Sequence, residues 1–218
     1  GLNPQEDEYI LMGMAAWGRQ DDDLQSIIYN DFFGYHKELD LRMNLHKGCM
    51  DYEPSIYPDD GSEQWKFDIA ANVQTICEWQ IQKVFRKAKE VVPETDNMCY
   101  SGGVALNCVA NSLVVEKQYP NMWILPNPGD AGSSLGSAAY VFGEHINWTS
   151  PFTGYEIKGR YPRRKVLNEL LNGNIVGVAN GRAEFGPRAL GNRSLLADPR
   201  GKNIKDQMNE IKNRQKFR

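Results

Sequence analysis

The sequence predicts a mixed α/β fold, because strand-like and helix-like segments alternate along it and glycine-containing turns join them. The chain has 218 residues, of which 41% are apolar and 24% are charged. This composition is typical of a folded protein and argues against disorder, collagen and coiled coil. The length is sufficient for one domain, or for one domain and part of a second.

One long helix is predicted over residues 62–92, because Ser62 is a candidate N-cap, apolar residues recur at helical spacing and Pro93 follows. Residues 24–50 are predicted to be irregular. Since strands alternate with helices, we expect a largely parallel sheet. The other predicted helices cover residues 104–118, 131–143, 163–171 and 202–216, and the predicted strands cover residues 97–100, 122–125 and 174–179.

Charge is distributed unevenly along the chain. Residues 1–150 contain 10 basic and 22 acidic residues, a net charge of −12, whereas residues 151–218 contain 15 and 6, a net charge of +9. Either the two parts attract each other, or the basic part binds a polyanion such as a nucleotide or RNA. Residues 151–164 contain prolines and glycines without a clear period, so we predict that they link a domain over 1–150 to another over 165–218.

The segment SGGVALN, residues 101–107, follows a predicted strand and opens a predicted helix. Gly102 and Gly103 allow the backbone to turn tightly and to approach a ligand. The N–H groups at a helix start favour an anion, and phosphate is the natural guest. The alternative is an ordinary turn between a strand and a helix.

Two further segments are rich in small residues. In NPGDAGSSLGSA, residues 127–138, Asp130 precedes a predicted helix. Spacing favours Asp130 as a helix cap, with a divalent cation bound by its carboxylate as the alternative. The segment MGMAAWG, residues 12–18, is weak evidence for any function by itself.

The most informative segment is GRAEFGPRALGNRSLLADPR, residues 181–200. Its glycines and prolines predict a stiff irregular loop. Guanidinium groups bind phosphate or carboxylate in a bidentate manner, so the segment favours anion binding over a purely structural role. The charged residues concerned are Arg182, Glu184, Arg188, Arg193 and Arg200.

The remaining signals concern the cellular compartment. No apolar run approaches the roughly 20 residues that span a bilayer, so no membrane partner is expected. The N-terminal segment is polar and acidic and shows no signal peptide. The four cysteines form no CxxC pair, which favours a reduced cytoplasmic protein.

Taken together and in this order, the motifs MGMAAWG, SGGVALN, PGDAGSSLGSA and GRAEFGPRALGNRSLLADPR resemble those of the O-carbamoyltransferases that modify nodulation factors and antibiotics. The resemblance covers about residues 9–218. It implies the rear half of an actin-like (ASKHA) ATPase-type domain, followed by the beginning of a YrdC-like α/β domain.

The resemblance also implies a chemistry. Carbamoyl phosphate and ATP form carbamoyl-adenylate at the YrdC-like site, and the actin-like site passes the carbamoyl group to a hydroxyl of a small-molecule or glycan acceptor. Mg²⁺ accompanies ATP, and a divalent metal, typically iron, lies at the actin-like site. By motif position, Arg182, Arg188 and Arg193 belong to the adenylate-forming site, Ser101, Gly102, Gly103 and Asn107 to the phosphate turn, Gly13 to the nucleoside segment and Asp130 to the metal.

The sequence also departs from the family pattern. The HxxxH pair of the family's metal site and the first phosphate loop of an actin-like domain are absent from it. We therefore expect a fragment that is inactive in transfer by itself, and exposed sheet edges that allow a homodimer.

Two other functions stay open at this point. One is a non-catalytic nucleotide-binding module that uses the same turns. The other is RNA binding through the basic part, which the lack of aromatic residues interleaved with the arginines argues against.

Overall fold

The computed structural model describes residues 2–3, 6–33 and 60–218, without the side chains of residues 114–117. The chain forms two compact units. Among the described residues, the first unit comprises residues 2–3, 6–33, 60–98, 107–122 and Phe217, and the second comprises residues 99–106, 123–216 and Arg218.

The described part of the chain is mixed α/β, as the sequence predicts. Its helices are α1 (Glu8–Ala15), α2 (Asp22–Phe32), α3 (Glu63–Val91), α4 (Cys108–Gln118), α5 (Ser133–Phe142), α6 (Arg163–Leu171) and α7 (Ile204–Ile211). Its strands are β1 (Asn97–Tyr100), β2 (Asn121–Ile124), β3 (Phe152–Ile157), β4 (Val176–Ala179), β5 (Gly181–Glu184) and β6 (Arg193–Leu196). Two short 3₁₀ helices cover Gly103–Leu106 and Asp130–Gly132.

The first unit is built on α3, whose predicted boundaries are confirmed. The Ser62 hydroxyl accepts a hydrogen bond from the Trp65 N–H at 3.0 Å, and the helix ends at Val91, shortly before Pro93. The prediction of irregular structure over residues 24–50 is wrong for its first part, which belongs to α2. There the Asp21 carboxylate caps the helix by accepting from the Leu24 N–H. Residues 34–50 lie outside the described residues.

Two apolar clusters pack α1 and α2 onto α3. Ile10 and Met14 of α1 pack with Ala70, and Ile28 of α2 packs with Ile76. Between these clusters lies Asn72, which is fully buried. Its amide accepts from the Asp21 N–H and the Gln25 side chain and donates to the carbonyls of Arg19 and Asp68, so the polar group is buried at little cost.

The strands form three separate pairs, and the expected parallel arrangement applies to one of them. β1 and β2 run in the same direction, since the Asn121 N–H donates to the Asp96 carbonyl at their start and the Gly102 N–H donates to the Pro128 carbonyl beyond their end. The pairs β3–β5 and β4–β6 are antiparallel. No helix lies between β4 and β6, so the chain lacks the crossover that a parallel pair requires.

Other differences from the predictions are local. The predicted linker over residues 151–164 contains strand β3, and the predicted irregular segment over residues 181–200 contains β5 and β6. The last helix, α7, is shorter than the predicted helix over residues 202–216. Among the described residues, no helix has the length and apolar character needed to cross a membrane.

Candidate functional site

Strand β1 ends in the glycine turn, residues 101–103, as the sequence predicts. Gly102 has φ +105°, a left-handed conformation that side chains other than glycine rarely adopt. A Cβ atom at Gly102 or Gly103 would have no atom within 4 Å, so the backbone here is accessible to a ligand. The turn continues into the 3₁₀ helix Gly103–Leu106, whereas the predicted helix over residues 104–118 begins as α4 only after Asn107.

Two of the groups expected to bind phosphate already have an internal partner. The Gly102 N–H and the Ser101 hydroxyl both donate to the Pro128 carbonyl, at 2.8 and 3.2 Å. These bonds join the glycine turn to the acidic loop, residues 126–130. At the start of a short helix the first N–H groups have no acceptor within the helix, which leaves those of Gly103 and Val104 for an anion.

Asp130 lies at the end of the acidic loop and is exposed. The capping prediction for it is wrong, because α5 begins after Gly132 and has no side-chain cap. Gly129 precedes the short helix that Asp130 begins, and it provides no side-chain cap either. The Asp130 carboxylate is thus not committed to a helix end, and the metal interpretation stays a prediction.

Asn107 and Gly13 lie in the first unit, whereas the glycine turn lies in the second. The Asn107 carbonyl oxygen caps α4 by accepting from the Ala110 N–H at 3.1 Å. The same amide exchanges two hydrogen bonds with the buried Gln74 of α3. Gly13 lies inside α1. Asn107 therefore has a structural role at the start of α4, and the binding of a nucleotide by Asn107 or Gly13 remains a prediction.

The arginine loop, residues 185–192, joins β5 to β6 and lies in the second unit. Gly186 has φ +121°, and a Cβ atom there would lie 2.2 Å from the Pro126 carbonyl oxygen, so glycine is required for this close approach. Arg188 donates from Nη2 to the carbonyl of Leu106, at the end of the 3₁₀ helix. The structure thus joins the arginine loop to the acidic loop and to the 3₁₀ helix that follows the glycine turn. We call the glycine turn with this 3₁₀ helix, the acidic loop and the arginine loop the motif cluster.

The three predicted catalytic arginines have different environments. Arg193 donates from Nη1 to the carbonyls of Asn180 and Asn192, at 3.1 and 2.7 Å. It donates from Nη2 to the Tyr155 carbonyl at 2.9 Å, and both nitrogens also reach the Gly181 carbonyl. Its guanidinium group therefore donates its hydrogen bonds to backbone carbonyl groups. Arg182 is exposed on β5, and Arg188 is exposed apart from its contact with Leu106.

Glu184 is a residue whose role the sequence did not reveal. Its Oε1 accepts from the backbone N–H groups of Leu190, Asn192 and Arg193, at 3.1, 2.8 and 3.0 Å. Partial desolvation raises the pKa of Glu184, but these N–H donors outweigh it and hold the pKa below its ordinary value. The one available signal was a glutamate placed among the arginines of residues 181–200, where Asp198 is the only other carboxylate.

The implied metal site requires several ligand side chains close together. Within residues 2–3, 6–33 and 60–218, no group of three or more histidine, cysteine, aspartate or glutamate side chains is placed to hold an ion. Asp130 alone supplies one carboxylate, which is fewer ligands than a divalent cation takes. The described residues therefore do not form the implied metal site by themselves.

The fold and the motif cluster define a mixed α/β protein in which glycine and arginine residues meet in an arrangement suited to anions. Comparison with known proteins identifies its family. Residues 1–139 match the model of the carbamoyltransferase N-terminus, and residues 167–218 match that of the carbamoyltransferase C-terminus. The chain belongs to the carbamoyltransferase family.

Individual relatives agree with this family. The chain is 33% identical to a 3'-hydroxymethylcephem-O-carbamoyltransferase of Amycolatopsis lactamdurans, over 95% of the chain and 42% of that protein. It is 29% identical to the nodulation protein NolO of Bradyrhizobium diazoefficiens, over 97% of the chain and 44% of that protein. An uncharacterized protein of Synechocystis is 33% identical over the whole chain and 43% of its own length. The chain thus spans less than half the length of these relatives.

Proposed function

We propose that this chain is part of an O-carbamoyltransferase that forms carbamoyl-adenylate and transfers its carbamoyl group to an acceptor hydroxyl. The observation that carries the proposal is the motif cluster, in which Arg188 donates to the carbonyl of Leu106, at the end of the 3₁₀ helix that follows the glycine turn. A cationic side chain and accessible backbone N–H groups are thereby present in one unit, which is what a phosphorylated substrate requires.

The reaction has a specific electrostatic demand. Carbamoyl phosphate, ATP and water give carbamoyl-adenylate, phosphate and pyrophosphate, so two polyanions must be brought together against their mutual repulsion. Fixed guanidinium groups offset that repulsion, and fixed donors stabilise the charge that develops on the leaving pyrophosphate. We assign this work to Arg188 and Arg182, whose guanidinium groups are exposed.

The remaining residues of the cluster have supporting roles in this proposal. The N–H groups of Gly103 and Val104 hold a phosphate group, while the Ser101 hydroxyl and the Gly102 N–H keep the turn attached to the acidic loop. Arg193 acts on the backbone rather than on the substrate, because its donors are occupied by carbonyl groups. In the second step an acceptor hydroxyl, on a small molecule or a glycan, attacks the carbamoyl carbon and releases AMP.

The metals implied by the family resemblance enter as proposals. Mg²⁺ would accompany ATP, and Asp130 would provide one ligand to a divalent cation, typically iron, that polarises the carbamoyl group when bound. The steps assigned above to arginine and backbone groups do not depend on that cation. ATP and carbamoyl phosphate are made inside cells, and we therefore place the reaction in the cytoplasm.

The test is carbamoyl-phosphate-dependent exchange of labelled pyrophosphate into ATP. It is run on the intact polypeptide that carries this sequence and, side by side, on the 218-residue chain. We expect exchange by the intact polypeptide alone. Absence of exchange from an intact polypeptide that is folded and binds ATP would contradict the proposal and favour a non-catalytic nucleotide-binding module. Acceptor carbamoylation by the 218-residue chain would contradict its expected inactivity.

A further inference from the structure

We propose that Glu184 is a positioning residue for the arginine loop, and that its carboxylate holds the loop backbone so that Arg188 reaches the 3₁₀ helix that follows the glycine turn. For its catalytic consequence this inference rests on the proposed function. The geometry of the loop does not depend on that function.

The first observation is the convergence of backbone donors on one atom. The N–H groups of Leu190, Asn192 and Arg193 all donate to Oε1 of Glu184, between 2.8 and 3.1 Å. Successive N–H groups that point to one centre form a concavity that binds an anion, and here the anion is a side chain of the same chain. Gly191, with φ +110°, provides the backbone conformation between the donors.

The second observation is that the other parts of the loop are fixed independently. Gly186 lies against the Pro126 carbonyl at the start of the loop. After the loop, Arg193 donates to the carbonyls of Asn180 and Tyr155. Glu184 binds three N–H groups of residues 190–193, where the Gly191 N–H also donates to Ser194 Oγ and the Asn192 side chain to the Arg182 carbonyl, so Arg188 lies between two fixed ends.

The third observation concerns charge. A carboxylate in a segment with four arginines would ordinarily pair with a guanidinium group, and such a pair would weaken the attraction of the site for phosphate. The hydrogen bonds of Glu184 instead come from backbone N–H groups. Glu184 therefore does not pair with Arg182 or Arg188, and the positive charges of these two arginines can attract an anionic ligand.

The test compares Glu184→Ala with Glu184→Gln in the intact polypeptide. Glutamine retains a carbonyl oxygen that can accept the three N–H groups, whereas alanine retains none. The matched control is Glu169→Ala, which removes a carboxylate of the same unit that accepts from the Asn174 side chain at 2.7 Å, away from the motif cluster.

The first readout is hydrogen exchange at the amides of Leu190, Asn192 and Arg193. We expect Glu184→Ala to exchange faster than the wild type at these amides, and Glu184→Gln and Glu169→Ala to stay close to the wild type. Unchanged protection in Glu184→Ala would overturn the proposal. This readout applies whether or not the protein forms carbamoyl-adenylate, so it distinguishes failure of this inference from failure of the proposed function.

The second readout is the exchange of pyrophosphate into ATP. A displacement of about 1 Å in a catalytic group can cost about 100-fold in rate, so we expect Glu184→Ala to lower kcat/KM by about 10- to 100-fold. Glu184→Gln should restore most of this loss. An equal loss in the alanine and glutamine variants would show that acceptor geometry is not what matters and would overturn the positioning role.

Discussion

The two units are stabilised in different ways. Of the twelve apolar side chains that are buried in the described residues, ten lie in the first unit, and Ala105 and Val178 lie in the second. The first unit therefore depends on apolar packing around α3. In the second unit, carbonyl and N–H groups are joined by polar side chains, chiefly those of Glu184 and Arg193. Apolar burial is non-directional, whereas hydrogen bonds from polar side chains fix backbone groups at defined positions, which suits a site for anions.

The largest expected effect comes from the apolar core of the first unit. Ile76 is 3% exposed and packs against Ile28. We expect Ile76→Ala to lower the free energy of unfolding by about 2–5 kcal/mol, because it removes buried carbon atoms and leaves a cavity. Leu196→Ala, at a partly exposed position on β6, should cost less. Urea unfolding measures both variants, and an equal loss would contradict the comparison between the units.

The next effect concerns catalysis in the second unit. We expect Arg188→Ala to lower carbamoyl-adenylate formation by about 100-fold or more, with acceptor binding nearly unchanged, because it removes a fixed cation from the phosphate groups. Pyrophosphate exchange and acceptor titration measure the two quantities in the intact polypeptide. Arg164→Ala removes an exposed arginine of α6 and serves as the control. Equal losses of both quantities in Arg188→Ala would show that Arg188 has a structural role.

A smaller effect is expected at the acidic loop. Asp130→Asn should lower the metal content and the carbamoyl transfer of the intact polypeptide by about tenfold while sparing adenylate formation, since an amide is a weaker ligand than a carboxylate. Metal analysis by mass spectrometry and the two activity assays separate these outcomes. Unchanged metal content would remove Asp130 from the proposed metal site.

The sequence predicts those features that depend on neighbouring residues. Ser62 and Pro93 define the ends of α3, and the glycine turn follows from a strand, two glycines and a helical start. The start of α2 also has a local pattern, since Asp21 precedes two further acidic residues. The aromatic residues that follow favour the prediction of irregular structure there. Local patterns of this kind act over one or two turns of the chain.

The features that the sequence did not predict depend on contacts between distant residues. Arg188 contacts Leu106, which lies 82 residues away, and Arg193 contacts Tyr155, which lies 38 residues away. No local pattern states whether an arginine will meet a substrate or a backbone carbonyl. For this reason the motif places Arg193 with Arg182 and Arg188, and only the structure separates it from them.

The smallest expected effect is a pH dependence that differs between the two units. Hydrogen bonds from Arg19 lower the pKa of Asp68 to about 2, and hydrogen bonds from Arg200 do the same for Asp198. A lowered pKa stabilises the folded state above the pKa of the unfolded chain, and this contribution is lost as the pH falls from about 4 towards about 2. The two pairs differ in the sequence separation of their members. Arg19 and Asp68 join the segment after α1 to α3, whereas Asp198 and Arg200 are two residues apart.

Protonation of Asp68 at low pH should therefore lower the stability of the first unit. Protonation of Asp198 should change the stability of the second unit very little. We expect Asp68→Asn to reduce the loss of stability between about pH 4 and pH 2, because the variant no longer gains a proton on unfolding in this range. Asp198→Asn should change that loss little, since its partner lies on the same short segment in the unfolded chain as well. Thermal unfolding across this pH range measures the stability of both variants. Equal effects would mean that the sequence separation of the paired residues does not matter.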